Sequence, residues 1–570
     1  MFEVGEEMVD GIPTRVWKNC PPSLRSILEL SRGYKDAPFL VYEDDRLSFE
    51  EHFVEAAAFA QALCERYGIE PGDRVAIAMR NYPEWVIAFW GAAAAGAVIV
   101  PLNAWWTGPE LAYGLEDSGA KLAVVDRERL ERIAPHDGAL AKAGLASVLV
   151  ARMGDEPHDL GAEGVVPVVR DRSSFAVEAM EDVLADHRRS PADSSLPEVE
   201  VGPDDNATIF YTSGTTGRPK GALGTQRNIC TNLMSLGFIN ARSQLRSSEE
   251  ERERLSRGGA QNAYLLSVPL FHATGCHSIL VANTAAGGKL VMMRRWNPER
   301  ALELIEREQI TIFGGVPTMA WQVIESPEFA SRDTSSVRSV AYGGAPAPPE
   351  LVRKIRSHFP GGSASNGYGL TETSSVTSMN SGADYVEKPD SVGPPVPVCE
   401  IRIVGPDGND VAGGEPGELF IKGPNVVRGY WRKPEATAVS FTDGWLHTGD
   451  VARVDEEGFI YIVDRAKDMV IRGGENVYSV EVEAAIYEHP SVADAAVIGI
   501  PHEVLGEEVG AVVVVKPGAS LTEEELRRHV AERLAAFKVP AHVFFLDGEL
   551  PRNPAGKVLK RELREQVLAP

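Results

Sequence analysis

The chain has 570 residues, of which 44% are hydrophobic and 24% charged; these are ordinary values for folded protein, and at ~150 residues per domain the length divides into roughly two to four units. Lys and Arg number 57 and Asp and Glu 82, a net charge of −25, which argues against a nucleic-acid partner and against a polybasic membrane surface. Anionic small molecules stay open as substrates, because a site needs only local positive charge. The cysteines Cys20, Cys64, Cys230, Cys276 and Cys399 are odd in number and lack CxxC spacing, so neither a disulfide framework nor a zinc site is expected, and a reducing cytoplasm suits them. The acidic opening, Met1 to Glu7, has no apolar run of the secretory type. The stretch from Val86 to Leu102 is apolar but contains Gly91, Gly96 and Pro101, and reads as a buried helix turning into a buried strand rather than a membrane span.

Residues 1–50 carry no clear periodicity. From Ser48 to Pro203 the pattern alternates: a helix over Phe49–Tyr67, a strand over Arg74–Met79, a buried helix over Glu84–Ala95, a strand over Ala97–Pro101, a helix over Gly108–Ser118 and a strand over Lys121–Asp126. Such alternation predicts a parallel sheet covered by helices. Residues 152–205 are polar and rich in Pro, Asp and Ser, so part of this stretch is expected to be a surface excursion, and the charged run Arg242–Arg257 reads as a solvated helix or loop. Further strands are expected at Ala263–Val268, Lys289–Met293, Thr311–Gly314 and Val337–Tyr342. Residues 391–463 change to short strands and Gly/Pro turns, a small antiparallel β unit. A compact α+β segment follows, in which Thr522 and Glu525 form a capping box and Leu526, Val530 and Leu534 an apolar stripe. The expected fold is α/β: a large N-terminal domain over 1–463, with helix-covered mixed sheets and the β-rich part at 391–463, a hinge at 464–468, and a smaller, mobile α+β domain over 469–570.

Five segments carry chemistry. Tyr211-Thr-Ser-Gly-Thr-Thr-Gly-Arg-Pro-Lys-Gly221 follows a strand. Its glycines, Gly214 and Gly217 among them, bring N–H groups close to an anion. Thr212, Ser213, Thr215 and Thr216 add hydroxyls and Lys220 a cation, the physics of a polyphosphate cradle without Walker A spacing. Asn366-Gly-Tyr-Gly-Leu-Thr-Glu-Thr373 sets an aromatic ring, fit to stack on a purine, near a carboxylate fit to hold Mg²⁺. Trp445-Leu-His-Thr-Gly-Asp450 ends on a carboxylate able to accept two ribose hydroxyls. The run from Asp464 to Val477 is a charged linker leading to Gly473 and Gly474, and Leu550-Pro-Arg-Asn-Pro-Ala-Gly-Lys557 is a stiff loop from which Lys557 projects. Lys560 and Arg561 beyond it read as surface or helix residues. Pro269-Leu-Phe-His-Ala-Thr-Gly275 adds His272 after a strand.

These motifs, in this order over roughly residues 45–565, resemble the adenylate-forming superfamily of acyl- and aryl-CoA synthetases, luciferase-like enzymes and adenylation domains, and are most like its fatty-acyl-CoA synthetases. The resemblance implies ATP and coenzyme A as co-substrates and Mg²⁺ as cofactor. It makes Lys557 the catalytic lysine, Glu372 the magnesium ligand and Thr371 an α-phosphate contact, with His272 beside the substrate carboxylate. Tyr368, Asn366, Gly367 and the Gly343-Gly344-Ala345 turn would surround the adenine, and Asp450 and Arg465 the ribose. Lys467 falls on the hinge, and Gly473, Gly474 and Glu475 on the pantetheine channel.

The implied reaction joins a carboxylic acid to AMP with release of pyrophosphate and then transfers the acyl group to coenzyme A. Phe238, His272 and Cys276 suggest a pocket for a fatty or other apolar acid. Transfer to a carrier protein, an aryl or cyclic acid, and a non-catalytic nucleotide or acyl-CoA binder stay open as alternatives. So does peripheral membrane contact, and the resemblance implies a homodimer.

Overall fold

The computed structural model describes residues 1–153, 174–212, 218–247, 261–343, 349–359, 361–473, 475–553 and 556–569. The β–α alternation that begins near Ser48 builds a seven-stranded sheet in the order Lys220–Thr225, Asn206–Thr212, Val98–Pro101, Arg74–Ala78, Leu122–Asp126, Ser147–Ala151, Ala176–Ala179. Pairing is parallel from Asn206–Thr212 onward, and antiparallel only between the first two strands. The inner strands are apolar throughout because each face is covered. Val75 and Ile77 enter one core with the helices Phe49–Glu65 and Pro83–Ala94, while Ala76 and Ala78 enter another with Leu111, Leu115 and Leu130.

An eight-stranded sheet runs Ser378–Ser381, Ser363–Tyr368, Ser339–Gly343, Ile312–Gly315, Ala263–Leu266, Lys289–Met292, Pro38–Tyr42, Asp45–Ser48. Its two edge strands are antiparallel. Leu40, Leu266 and Leu290 share the core of Val75 and Ile77, so the helix Pro83–Ala94, with Trp85 and Trp90 fully buried, is packed between the two large sheets. That apolar sandwich joins the two large sheets, and Thr212, Lys220, Gly343 and Tyr368 of the candidate site lie at the ends of their strands.

Two smaller sheets follow. Glu400–Val404, Gly417–Lys422, Trp445–Val454 and Ile460–Arg465 pair antiparallel. Val470–Arg472, Glu475–Val477, Val492–His502, Gly506–Val515 and His542–Phe545 form the last sheet. Against it lies the helix Glu523–Ala531, opened by the Thr522–Glu525 capping box and burying Leu526 and Val530 completely. Among the described residues no helix is long and apolar enough to cross a membrane.

Three sequence readings change. Residues 1–50 are structured: a hairpin of Val4–Val9 and Ile12–Trp17, then the helix Leu24–Ser31. Phe238 packs against this hairpin, 5.6 Å from the Trp17 ring and 5.7 Å from Phe2, rather than standing free beside an acyl pocket. The charged run is not simply solvated at its start. Arg242 and Arg246, at the end of the helix Gln226–Arg246, pair with the buried Asp384 at 3.0 and 2.6 Å; residues 248–257 lie outside the described residues.

Leu526→Ala removes a fully buried side chain from the core of the last sheet. The expected loss is about 2–5 kcal/mol, measured by denaturant unfolding followed through signals from residues 470–569.

Candidate active site

The antiparallel strands Asn206–Thr212 and Lys220–Thr225 bring Thr212 opposite Lys220. Ser213, Gly214, Thr215, Thr216 and Gly217, the rest of the expected phosphate cradle, lie outside the described residues. Glycine at 221 has a packing reason, since a Cβ there would stand 2.5 Å from Ile209 Cγ2. The Lys220 ammonium sits 5.1 Å from the centre of the Tyr430 ring.

A second wall comes from neighbouring strands of the eight-stranded sheet. Ser339–Gly343 and Ser363–Tyr368 run parallel with Gly343 opposite Gly367, and a Cβ at 343 would meet the Gly367 carbonyl at 2.5 Å. Gly344 and Ala345 lie outside the described residues. Asn366 is buried and its side chain hydrogen-bonds Tyr385. Beyond Tyr368 the chain turns sharply through Thr371–Thr373, with Ser374 at φ +52° and Ser375 at φ +102°. Neighbours hold this unfavourable geometry: His277 Nδ1 is 3.2 Å from the Ser374 carbonyl, the Ser278 hydroxyl donates to Ser375 Oγ at 2.7 Å, and Val376 N–H donates to Asn232 Oδ1 at 2.9 Å.

The turn presents Thr371 and Glu372. The Tyr430 hydroxyl donates to Glu372 Oε1 at 2.8 Å. Burial pushes the Glu372 carboxyl upward, and the Tyr430 hydrogen bond opposes that. A magnesium ion fits such a residue. Glu372 offers a hard oxygen donor, and no group of three or more His, Cys, Asp or Glu gathers among the described residues. Mg²⁺ is characteristically held by one or two carboxylates, with substrate phosphates and water completing its shell.

Asp450, 3% exposed, is the meeting point. It lies opposite Arg465 in the strand register, forms an ion pair with Arg465 Nε at 3.2 Å and accepts from the Tyr368 hydroxyl at 2.7 Å. Lys557 belongs to a tight turn in which Asn553 N–H donates to the Lys557 carbonyl at 2.8 Å and Lys557 N–H to Asn553 Oδ1 at 2.9 Å. Arg552 braces it by donating to the Gly556 carbonyl and to Asp494. The turn lies against the N-terminal part of the chain, since a Cβ at Gly556 would be 2.5 Å from Val316 Cγ2. Burial, then the positive charge of Arg465, lower the Lys557 ammonium to about 7, partly offset by Asp450.

His272 precedes the π-helical turn Thr274–Val281, a feature often found at functional sites. Its Nε2 is shielded and has no hydrogen-bond partner among the described residues. Burial lowers the imidazole to about 4, so it is neutral near pH 7. Lys467 is exposed, between Ala466, which donates to the Gly449 carbonyl, and Asp468, which donates to that of Arg465. Gly473 and Glu475 are exposed on the pair of strands Val470–Arg472 and Glu475–Val477, whereas Lys557 is half-buried; Gly474 lies outside the described residues. Asp464, 2% exposed, accepts from Ser479 N–H and, at 2.9 Å, from Ser479 Oγ, a clasp spanning Lys467.

Sequence reasoning passed over three contributors. Tyr430 was marked only by Gly429-Tyr430-Trp431 after a turn. Asp117 accepts from Tyr211 at 2.9 Å and pairs with Lys433 at 2.7 Å, tying the strand Asn206–Thr212 to the segment that follows Tyr430. Lys560 opens the helix Lys560–Leu568, as one of its two readings had it, but it is paired rather than solvated: its ammonium lies 2.7 Å from Glu483 and 2.7 Å from Ser479 Oγ. Arg561 is exposed as expected.

Residues 29–431 match the family model described as AMP-binding enzyme, and residues 481–557 that of the AMP-binding enzyme C-terminal domain. The chain is 36% identical over 520 residues to a feruloyl-CoA synthase of Amycolatopsis sp, covering 91% of this chain and 94% of the relative. It is 32% identical over 553 residues to a long-chain-fatty-acid–CoA ligase of Bacillus subtilis (95% and 94%). The crystal structure of ATP-bound MatB from Rhodopseudomonas palustris superimposes with a TM-score of 0.78 at 31% identity, covering 95% of this chain and 99% of that one.

With its ammonium lowered to about 7, Lys557 is largely neutral at pH 8, and a phosphate brought beside it restores the charge. ATP binding is therefore expected to take up a proton at pH 8 and close to none at pH 6. Calorimetry in buffers of different ionisation enthalpy measures this, and Lys557→Ala should abolish the uptake.

Proposed function

The chain belongs to the AMP-binding enzyme family and is an AMP-forming acyl-CoA ligase; from that premise we propose that its substrate is a fatty or other apolar carboxylic acid and that the site residues above carry the reaction. The observation that carries the proposal is the convergence of Tyr368, Asp450, Arg465 and Lys557 from two separate sheets and a C-terminal turn. Around an acid that is already ionised near pH 7, the chemical problem is repulsion between two anions rather than removal of a proton. Lys557 would bridge the substrate carboxylate and the α-phosphate where negative charge accumulates. Asp450 and Arg465 would orient the ribose, and Tyr368 would stack on the adenine. Lys220 and the Thr212 hydroxyl would hold the outer phosphates. Magnesium, when bound, supplies charge neutralisation that makes pyrophosphate a better leaving group, and Glu372 would hold it.

The resulting acyl adenylate is a mixed anhydride open to attack by the thiol of coenzyme A, with AMP leaving. Lys557 and the Gly473–Glu475 loop both belong to the part of the chain after Lys467. A rotation there would withdraw the lysine after the first step and bring the loop to the second. Two observations support an apolar acid: His272 is held neutral by burial, and the named relatives include ligases for feruloyl and long-chain fatty acids.

Thioester formation across aliphatic, aromatic and dicarboxylic acids, read by mass, should favour medium- to long-chain or aromatic monocarboxylates. An amino acid or dicarboxylate as the best substrate would overturn the substrate reading. Lys557→Ala should lower carboxylate-dependent ATP–pyrophosphate exchange by about a hundredfold or more, while thioester formation from supplied acyl-AMP persists. Lys467→Pro, which fixes φ, should do the reverse, sparing exchange and slowing thioester formation; equal effects on both would remove Lys467 as the pivot.

A further inference from the structure

Between Glu372 and Lys220 stands a residue to which neither the motifs nor the family comparison assigns a role. The segment from Val427 to Trp431 is strapped to both loops that flank the phosphate position. Val427 N–H donates to the Glu372 carbonyl at 2.9 Å. The next residues run along the outer edge of the strand that begins at Lys220: Arg428 N–H donates to the Leu223 carbonyl, Leu223 N–H to that of Gly429, and Trp431 N–H to that of Gly221, with Tyr430 opposite Ala222. Tyr430 is held on every side. Its N–H donates to Thr437 Oγ1 at 2.9 Å, and its ring meets Phe441 edge-on at 5.7 Å. Asp117 anchors the following turn through Lys433 and the Trp431 indole. From this rigid position the hydroxyl reaches Glu372 Oε1 at 2.8 Å and the ring lies against the Lys220 ammonium at 5.1 Å.

We propose that Tyr430 is a positioning residue for the metal–phosphate part of the site: its hydroxyl orients Glu372, and its ring supports Lys220 while keeping the lysine from pairing with that carboxylate. A half-buried carboxylate and a lysine that approach the same side chain would gain by closing into an ion pair, leaving neither charge for the substrate. Lys220 makes no ion pair among the described residues, and the aromatic face is what it meets instead. The hydroxyl occupies one oxygen of Glu372 and leaves the other for a metal, the way hydrogen-bonding partners commonly orient metal-binding carboxylates. The inference rests on the reading of Glu372 as the magnesium carboxylate and of Lys220 as a phosphate cation.

The test is equilibrium binding of ATP to the full chain without acid substrate, in EDTA and in saturating Mg²⁺; the ratio of the two affinities measures the metal's contribution independently of turnover. Tyr430→Phe keeps the ring and loses the hydroxyl. It should cut that ratio about tenfold, the order of one charge-assisted hydrogen bond, leaving affinity in EDTA and the melting temperature unchanged. Glu372→Gln should abolish most of the ratio, and Tyr430→Phe added to it should do nothing more. Tyr430→Leu should also weaken binding in EDTA, because Lys220 loses its support. If Glu372→Gln leaves the ratio intact, the Glu372 assignment fails and takes the proposal with it. If Glu372→Gln acts but Tyr430→Phe leaves the ratio unchanged, or weakens both conditions equally, or adds fully to Glu372→Gln, the proposal for Tyr430 fails alone.

Discussion

The buried carboxylate of Asp450 is the constraint on which the site depends. A charge that is 3% exposed is costly unless it is paired and hydrogen-bonded. Its partners come from separate parts of the chain, Tyr368 from the eight-stranded sheet and Arg465 from the neighbouring strand of the small antiparallel sheet, and its charge also reaches Lys557 on the C-terminal turn. Satisfying one carboxylate therefore aligns elements 82 residues apart in sequence. Burial, and then the nearby Arg465, make Lys557 hold its proton weakly, and an arriving phosphate would strengthen that hold. The net charge of −25 thus coexists with a site assembled for anions, since positive charge is concentrated at a few residues that the fold brings together.

Much of this was legible in the sequence because it is local. Strands such as Arg74–Ala78 and helices such as Gly108–Ser118 follow from periodicity, and the Thr522–Glu525 capping box is read within four residues. The site segments announce themselves by turn chemistry confined to a dozen residues each. The parts that escaped depend on partners far away in sequence. Lys560 looks like one more charge on an exposed helix until Glu483 is brought against it. Arg242 and Arg246 look solvated until Asp384 arrives from 142 residues beyond the first of them. The N-terminal hairpin alternates weakly because one strand is largely exposed, and only the packing of Trp17 on Phe238 explains its place. Tyr430 belongs to the same class: its neighbour Glu372 is 58 residues away.

The fold separates what must be rigid from what must yield. The apolar core shared by the two large sheets is closed around Trp85 and Trp90, and it carries the turn of Glu372 and the hairpin of Lys220. The proposed pivot at Lys467 is exposed, and the Asp464–Ser479 clasp and the contact of Gly556 with Val316 bridge it. Strain is kept on the rigid side, in the left-handed pair Ser374 and Ser375, where Asn232, His277 and Ser278 hold it.

The contact between Gly556 and Val316 bears on how the turn of Lys557, the proposed catalytic lysine, could come and go. Because position 556 has no side chain, the turn meets Val316 through bare backbone, at a spot where even a methyl group would collide. There is no knob to withdraw from a socket. An approach of this kind is shape-selective when closed yet presents little to unlatch when it opens, so most of the resistance to departure would fall on electrostatic attachments near Lys557. Those attachments change with the charge on the bound nucleotide, and the chemistry itself would then set when the turn lets go.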